Sequence, residues 1–416
     1  MSIVVTGIGV ISPLGATPTS LFQALCEGRS AITDITAFDA SPFPTRQGGL
    51  VRGFQGKNYI ENRKNLKLMT PSVQFGLAAL KLAAEEAGLS AQVVAPSRLG
   101  MFVGAGTAFG DLAELIPALA KASDGANFDP VRFARDGMPL VNPLWLLKGL
   151  SNNVLGYGSA QLDAQGINQN YCNSSVGAIQ ALGEAAYALL EDRADIILAG
   201  GHDSAVNPEH LAGFGPLGVL SSSGTPRPFD RRHDGFVLGE GAAFFVLERE
   251  AFARARGARV LARLCGFGNA TSLRGTSGVD PDSIVASFRG ALQSAKWAPA
   301  EVDCVFAHGN ANPKYDDTEA LVLRRVFGDR QPMVTADKGA LGHAITAAGV
   351  LSCVSAVTAL SAGRVPHIQG LQTPAEACAG LDLVIGQPRE GKVARILVHA
   401  GGLGGQTSTL AWEATS

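Results

Sequence analysis

Short β-branched runs alternate with longer Ala/Leu-rich stretches along the whole chain, and that alternation is the mark of an α/β fold. Strand candidates fall at residues 3–6, 101–104, 195–199, 242–248, 260–265, 302–307, 333–335 and 395–399. Residues 71–87 and 316–326 read as helices, stopped by Gly88 and Gly328. Glycine suits a helix end because it enters the left-handed conformation without penalty. Residues 111–150 read as helices and loops outside the alternation. No linker or low-complexity tract divides the 416 residues, so the length predicts two or three domain-sized units or one large duplicated one.

A weak internal repeat favours duplication. Ser174-Ser175 leads into an Ala/Leu/Gly-rich helix over 176–191, followed by Arg193 and the strand at 195–199. Gly342-His343 leads into a similar helix over 344–361, followed by Arg364 and Val365. Two such helices predict two similar halves packed face to face, with both helix starts aimed at one shared site. A helix start carries unpaired N–H groups and partial positive charge, so it favours a developing anion. The segment Asn170-Tyr171-Cys172-Asn173-Ser174-Ser175-Val176-Gly177-Ala178 reads as a strand-to-helix elbow of this type. A nucleophile placed there has its own amide available for an oxyanion hole. On composition alone, Ser174 or Ser175 equally suits a plain helix cap.

Other features narrow the function class. The net charge is −2 with no run of about five like charges, so neither nucleic acid nor an anionic membrane is an expected partner. Cys26, Cys172, Cys265, Cys304, Cys353 and Cys378 form no C-x-x-C pair and no zinc spacing, so no metal is expected. The opening MSIVVTGIGV lacks a basic, apolar leader pattern, and no apolar run approaches about 18 residues; a cytoplasmic location is the expectation. Gly104, Gly106 and Gly110 lack the dinucleotide-binding spacing, and residues 401–408 resemble a phosphate loop only in their glycines.

Four spaced motifs supply the chemistry. The run Pro228-Phe229-Asp230-Arg231-Arg232-His233-Asp234-Gly235-Phe236-Val237-Leu238-Gly239-Glu240-Gly241 resembles the PFD-x-x-RDGFV-x-GEG signature of β-ketoacyl-acyl-carrier-protein synthases, with His233 displacing an arginine. Ala307-His308-Gly309, with Asp316 and Glu319 downstream, resembles that family's AHGT-x-T segment. Lys338-Gly339-Ala340-Leu341-Gly342-His343, running into Ala347-Ala348-Gly349, resembles K-S-x-x-GH-x-x-x-AAG, and Gly402-Leu403-Gly404-Gly405 resembles the GFGG gate loop.

The resemblance spans residues 3 to about 412. It implies a thiolase-like α/β fold, with two duplicated halves in a five-layered α-β-α-β-α sandwich. The nucleophile would lie in residues 1–250 and the two histidines in 251–416. It also implies substrates carried on the phosphopantetheine of acyl carrier protein, no other cofactor, and a homodimer or a heterodimer with a related ketosynthase subunit. By the same resemblance His308 and His343 are the two oxyanion- or enolate-stabilising histidines, Lys338 the supporting lysine, and Gly402, Leu403 and Gly404 the substrate-binding gate. A basic patch near the pocket mouth is expected for an acidic carrier protein.

Departures cluster at the site. Family members carry the nucleophilic cysteine eight residues before a helix glycine, and counting back from Gly183 reaches Ser175 rather than Cys172. A serine needs a base within hydrogen-bond reach, which His308 or His343 would supply. The glutamate that partners the lysine is Ser352, so Asp316 or Glu319 is the expected substitute. Asn310 and Asn312 replace two threonines, Leu403 replaces the gate phenylalanine, and His399-Ala400-Gly401 replaces an N-S-F segment. Three readings follow: an acyltransferase that carries its acyl group on Ser175, a non-catalytic chain-length-factor-like partner of a cysteine-bearing ketosynthase, or an engineered cysteine-to-serine form of an ordinary synthase.

Overall fold

The structure is a computed structural model that describes residues 2–106, 112–272 and 279–415. Gly110 and Asp111, named above, lie outside the described residues. Among the described residues, eleven strands share one sheet: β1 (Ile3–Ile11), β2 (Leu99–Ala105), β3 (Asn168–Tyr171), β4 (Ile196–Ser204), β5 (Glu240–Arg249), β6 (Ala262–Thr271), β7 (Cys304–Phe306), β8 (Met333–Thr335), β9 (Asp382–Leu383), β10 (Arg395–Gly401) and β11 (Gln406–Glu413). Their spatial order is β9-β8-β7-β10-β11-β6-β1-β5-β4-β2-β3.

That order is a duplication. Moving outward from the centre, the first half runs β1-β5-β4-β2-β3 and the second runs β6-β11-β10-β7-β8. With the extra edge strand β9 of the second half set aside, each half uses its first, fifth, fourth, second and third strand, with the same antiparallel and parallel pairings. The halves meet where β1 pairs antiparallel with β6 through Ile3↔Leu264, Val4↔Arg263 and Val5↔Ala262. Even the irregularities repeat, with register shifts at Val5/Gly7 against β5 and at Leu264/Gly266 against β11.

Five principal helices complete the layers: α1 (Pro71–Glu86), α2 (Gly177–Leu190), α3 (Pro281–Ala295), α4 (Pro313–Phe327) and α5 (Ala348–Ala362). α1 covers the outer face of β1, β5 and β4, while α3 covers β6 and β11. α2 and α5 touch each other between the two half-sheets, which gives the α-β-α-β-α sandwich. The outer helices sit unusually close to their strands. A Cβ on Gly9 would lie 1.9 Å from the Ala79 carbonyl oxygen of α1, and one on Gly268 would lie 2.0 Å from the Ser287 carbonyl oxygen of α3. Only glycine admits that approach, and each half carries the device at the same place.

The inner helices are apolar nearly all round, as a helix buried on every side must be. The run Ile345–Ala362 is long and apolar enough to cross a membrane, but it lies inside the fold as the central helix α5 and its lead-in. The repeat alignment needs one correction. α2 is preceded by a single 3-10 turn, Ser174–Val176, and α5 by the turn Ile345–Ala347. The counterpart of Ser174-Ser175 is therefore Ile345-Thr346, three residues beyond Gly342-His343. Both turns open on a residue with positive φ, 50° at Ser174 and 37° at Ile345.

Candidate active site

The corner between β3 and α2 places the two candidate nucleophiles, Ser175 and Cys172, differently. Ser174 holds a left-handed backbone, which costs a non-glycine residue on the order of 1–3 kcal/mol. The sharp turn faces Ser174 and Cys172 outward and places Ser175, 4% exposed, at the buried start of the helix. The Cys172 thiol is exposed and accepts a hydrogen bond from Asn170 Nδ2 at 3.2 Å. The interior side chain is the hydroxyl.

Ser175 Oγ lies 3.5 Å from His343 Nε2, and the rings of His343 and His308 meet edge to face at 5.2 Å. The structure thus gathers all three residues into one buried group. His308 Nδ1 accepts the Gly401 amide at 3.3 Å, which leaves Nε2 as its N–H. The loop under His308 is pinned by Glu319, whose two oxygens accept the His308 and Gly309 amides at 2.8 Å each; His399 Nδ1 bonds the same carboxylate. His343 is fixed through its backbone, its amide donating to Val237 O at 2.7 Å. The Phe236 ring stands edge-on to the His343 imidazole at 5.0 Å. Its Nδ1 is buried without a partner among the described residues. An orphaned lone pair is cheaper than an orphaned buried N–H, so the proton belongs on Nε2, facing Ser175.

Burial first, and the Lys338 charge second, push His343 well below the usual histidine range; the same two causes, with His343 and His399 added, depress His308. Both rings are neutral N–H donors near pH 7. Lys338 is itself buried, and its Nζ stands 4.0 Å from Asp337 Oδ1. Asp337 accepts Ser352 Oγ at 2.9 Å and Ser355 Oγ at 3.5 Å. Burial lowers the lysine and raises the carboxyl, and each partially restores the other.

Asp337 therefore overturns the expectation that Asp316 or Glu319 would partner Lys338. Both of those carboxylates are committed elsewhere, Asp316 to the Phe229 and Asn310 amides at 2.8 and 3.1 Å and Glu319 to the His308 loop. The signal was present in the sequence: an acid beside the lysine, opposite two serines spaced i, i+3 on a helix.

Residues 402–405, the expected gate, join β10 to β11. Leu403 is half-buried against an apolar cluster that includes Ile345, Phe236 and Leu238, Gly402 donates to Gln406 O at 2.8 Å, and Gly404 is exposed. Gly401 has a steric reason. A Cβ there would fall 1.5 Å from Tyr315 Oη, and the Tyr315 ring packs 4.5 Å from His308. The tyrosine of α4 occupies the space that a side chain at 401 would need. Sequence reasoning missed this exchange.

His233 gives the site's surroundings a pH dependence. Its Nδ1 is 3.4 Å from Asp316 Oδ2 and its Nε2 4.0 Å from Asp317 Oδ1. Burial lowers its pKa, but Asp316, Asp317 and Asp230 outweigh that and raise it overall. A raised folded-state value means stabilisation that is complete below the ordinary histidine pKa and is lost as pH rises through the raised value. His233→Arg keeps its charge throughout, so its stability advantage over the parent widens across that window. Chemical denaturation at a series of pH values checks this; parallel curves would contradict it.

Comparison with known proteins identifies the family. Residues 1–253 match the family described as "Beta-ketoacyl synthase, N-terminal domain" and residues 263–372 its C-terminal domain. The chain is 31% identical to 3-oxoacyl-[acyl-carrier-protein] synthase 2 of Coxiella burnetii, over 98% of this chain and 97% of the relative. It is 28% identical to the tetracenomycin polyketide synthase ketoacyl synthase alpha subunit of Streptomyces glaucescens, over 97% of this chain and 95% of the relative. Among solved structures, the ishigamide ketosynthase/chain length factor superposes with a TM-score of 0.90 at 25% identity, covering 100% of this chain and 99% of that one. With both family domains matched along a duplicated thiolase-like fold, the chain belongs to the β-ketoacyl synthase family of condensing enzymes.

Proposed function

We propose that this chain takes acyl groups from acyl-carrier-protein thioesters onto Ser175, in fatty acid or polyketide synthesis, with His308 and His343 as oxyanion donors. The observation that carries the reading is the buried cluster of one hydroxyl and two neutral imidazoles at the start of α2. Ser175 Oγ attacks the thioester carbonyl while the Nε2–H groups and the Ser175 amide stabilise the oxyanion. The C–S bond then breaks, an oxygen ester forms on Ser175, and the phosphopantetheine thiol leaves with the serine proton. Lys338, balanced by Asp337, holds both imidazoles neutral. In the division we propose, residues 1–250 carry the nucleophile and 251–416 the histidines.

Two surface features support a paired subunit. β3 is an edge strand with one side unpaired, and edge strands invite pairing. The 112–150 segment exposes Ile116, Val131 and Leu146 at 61, 74 and 69%, the kind of apolar surface that marks an interface. A second reading, a chain-length-factor-like subunit, is favoured by the His343 proton facing Ser175, which leaves the hydroxyl without a base.

Intact-mass measurement after incubation with acyl-acyl-carrier-protein thioesters tests the proposal. An ester adduct forms on the parent chain and is absent from Ser175→Ala. No adduct alone, with activity restored to a cysteine-bearing partner on mixing, establishes the second reading instead.

A further inference from the structure

Every buried side chain of α2 is apolar or glycine with one exception, Gln180, which is 5% exposed. Both ends of its amide are bonded. Oε1 accepts Asn173 Nδ2 at 2.7 Å, and Nε2 donates to Asn269 Oδ1 at 3.0 Å. Asn269 Oδ1 also accepts Ser408 Oγ at 2.8 Å. Leaving a buried amide unsatisfied would cost about 1–3 kcal/mol, so these contacts fix the side chain in place.

The two ends of this chain of amides lie next to the elbow and next to the 402–405 loop. Asn173 immediately precedes the left-handed Ser174 and then Ser175. Asn269 and Ser408 are cross-strand partners on β6 and β11, and β11 leads out of the 402–405 loop. Ser272, just past β6, donates its amide to Gly405 O at 2.9 Å, and Gln406 opens β11 directly after the loop. A rigid polar rod thus runs from the elbow through the central helix to the base of the loop that carries Leu403.

We infer that Gln180 is a positioning residue that couples the Ser175 elbow to the Gly402–Gly405 loop, so that the loop's placement sets the orientation of the acyl-accepting group. The inference rests on the proposed role of Ser175, and its test keeps the two separable. In a Ser175→Cys background, alkylation of residue 175 by iodoacetamide reports elbow geometry without any carrier protein. The parent chain reports acyl-adduct formation.

Gln180→Met has the same length and no hydrogen bonds, and slows both reactions by about tenfold, as small misplacements of reacting groups do. Gln180→Glu, held as the protonated acid by its burial, accepts from Asn173 through its carbonyl and donates its O–H to Asn269 Oδ1, so it restores the rate. Ser408→Ala slows the reactions alone but adds little on top of Gln180→Met, the non-additivity expected of coupled residues. If Gln180→Met fails to fold, Asn173→Ala breaks the same rod at its outer end. Independent effects of the Gln180 and Ser408 changes, or a Gln180→Glu variant as slow as Gln180→Met, overturn the coupling. Slowed alkylation with no acyl adduct on the parent chain leaves the coupling standing and overturns the acyl-acceptor role.

Discussion

Ser175→Cys accelerates acyl-adduct formation at neutral pH by about two orders of magnitude, because a thiol ionises where a hydroxyl needs a base. The geometry withholds that base. The His343 proton sits on the nitrogen 3.5 Å from Ser175 Oγ, and burial with the Lys338 charge keeps both imidazoles weakly basic. A thiol at a helix start has its pKa drawn below about 8.5 without any proton acceptor. The surrounding donors are already placed for the oxyanion, so the substitution changes the nucleophile alone. Time-resolved intact mass gives the acylation rate, and a malonyl-dependent assay shows whether condensation follows. If the cysteine variant acylates no faster than the parent, residue 175 is not the acyl acceptor.

Asp337→Asn is the second large effect. Removing one partner of a buried ion pair typically costs about 3–5 kcal/mol, because the remaining charge is left uncompensated. Lys338 can relieve this only by releasing its proton. Its folded-state pKa already lies below the ordinary lysine value, so stability climbs as pH rises through that folded value. Losing Asp337 moves the climb to lower pH and removes the positive field that depresses His308 and His343. The pH profile of adduct formation shifts with it. Replacing both residues together, Asp337→Leu with Lys338→Met, recovers most of the lost stability and none of the lost profile. Urea denaturation and pH–rate measurements on the three variants check this. An Asp337→Asn chain as stable as the parent would show that Lys338 is not charged in the fold.

The fold was legible in sequence where chemistry and pattern agreed. Each of the eight strand candidates falls on a strand, and both helices end at the glycines named for them, Gly88 and Gly328. β3 was missed because Asn168-Gln169-Asn170-Tyr171 is polar and sits at the sheet edge, where no buried face imposes alternation. β11 was missed because the glycines just before it drew attention to a loop. Spaced motifs picked out Ser175, His308 and His343, which the structure brings together. Its exchanges were not. Asp337 for a helix acid, and Tyr315 for a side chain at Gly401, are substitutions of position rather than of type, and only three-dimensional packing relates them.

The strand order also bears on how the chain emerges from the ribosome. β1 to β5 are complete by Arg249, so the first half-sheet and α2 can assemble while the second half is still unmade. The partner face of α2 is supplied by α5, which ends at Ala362. At roughly 5–20 residues per second, synthesis leaves that apolar face bare for on the order of ten seconds. The nascent half is thus a natural client for chaperones, and slowing translation between residues 249 and 362 lengthens its exposure and lowers the soluble yield.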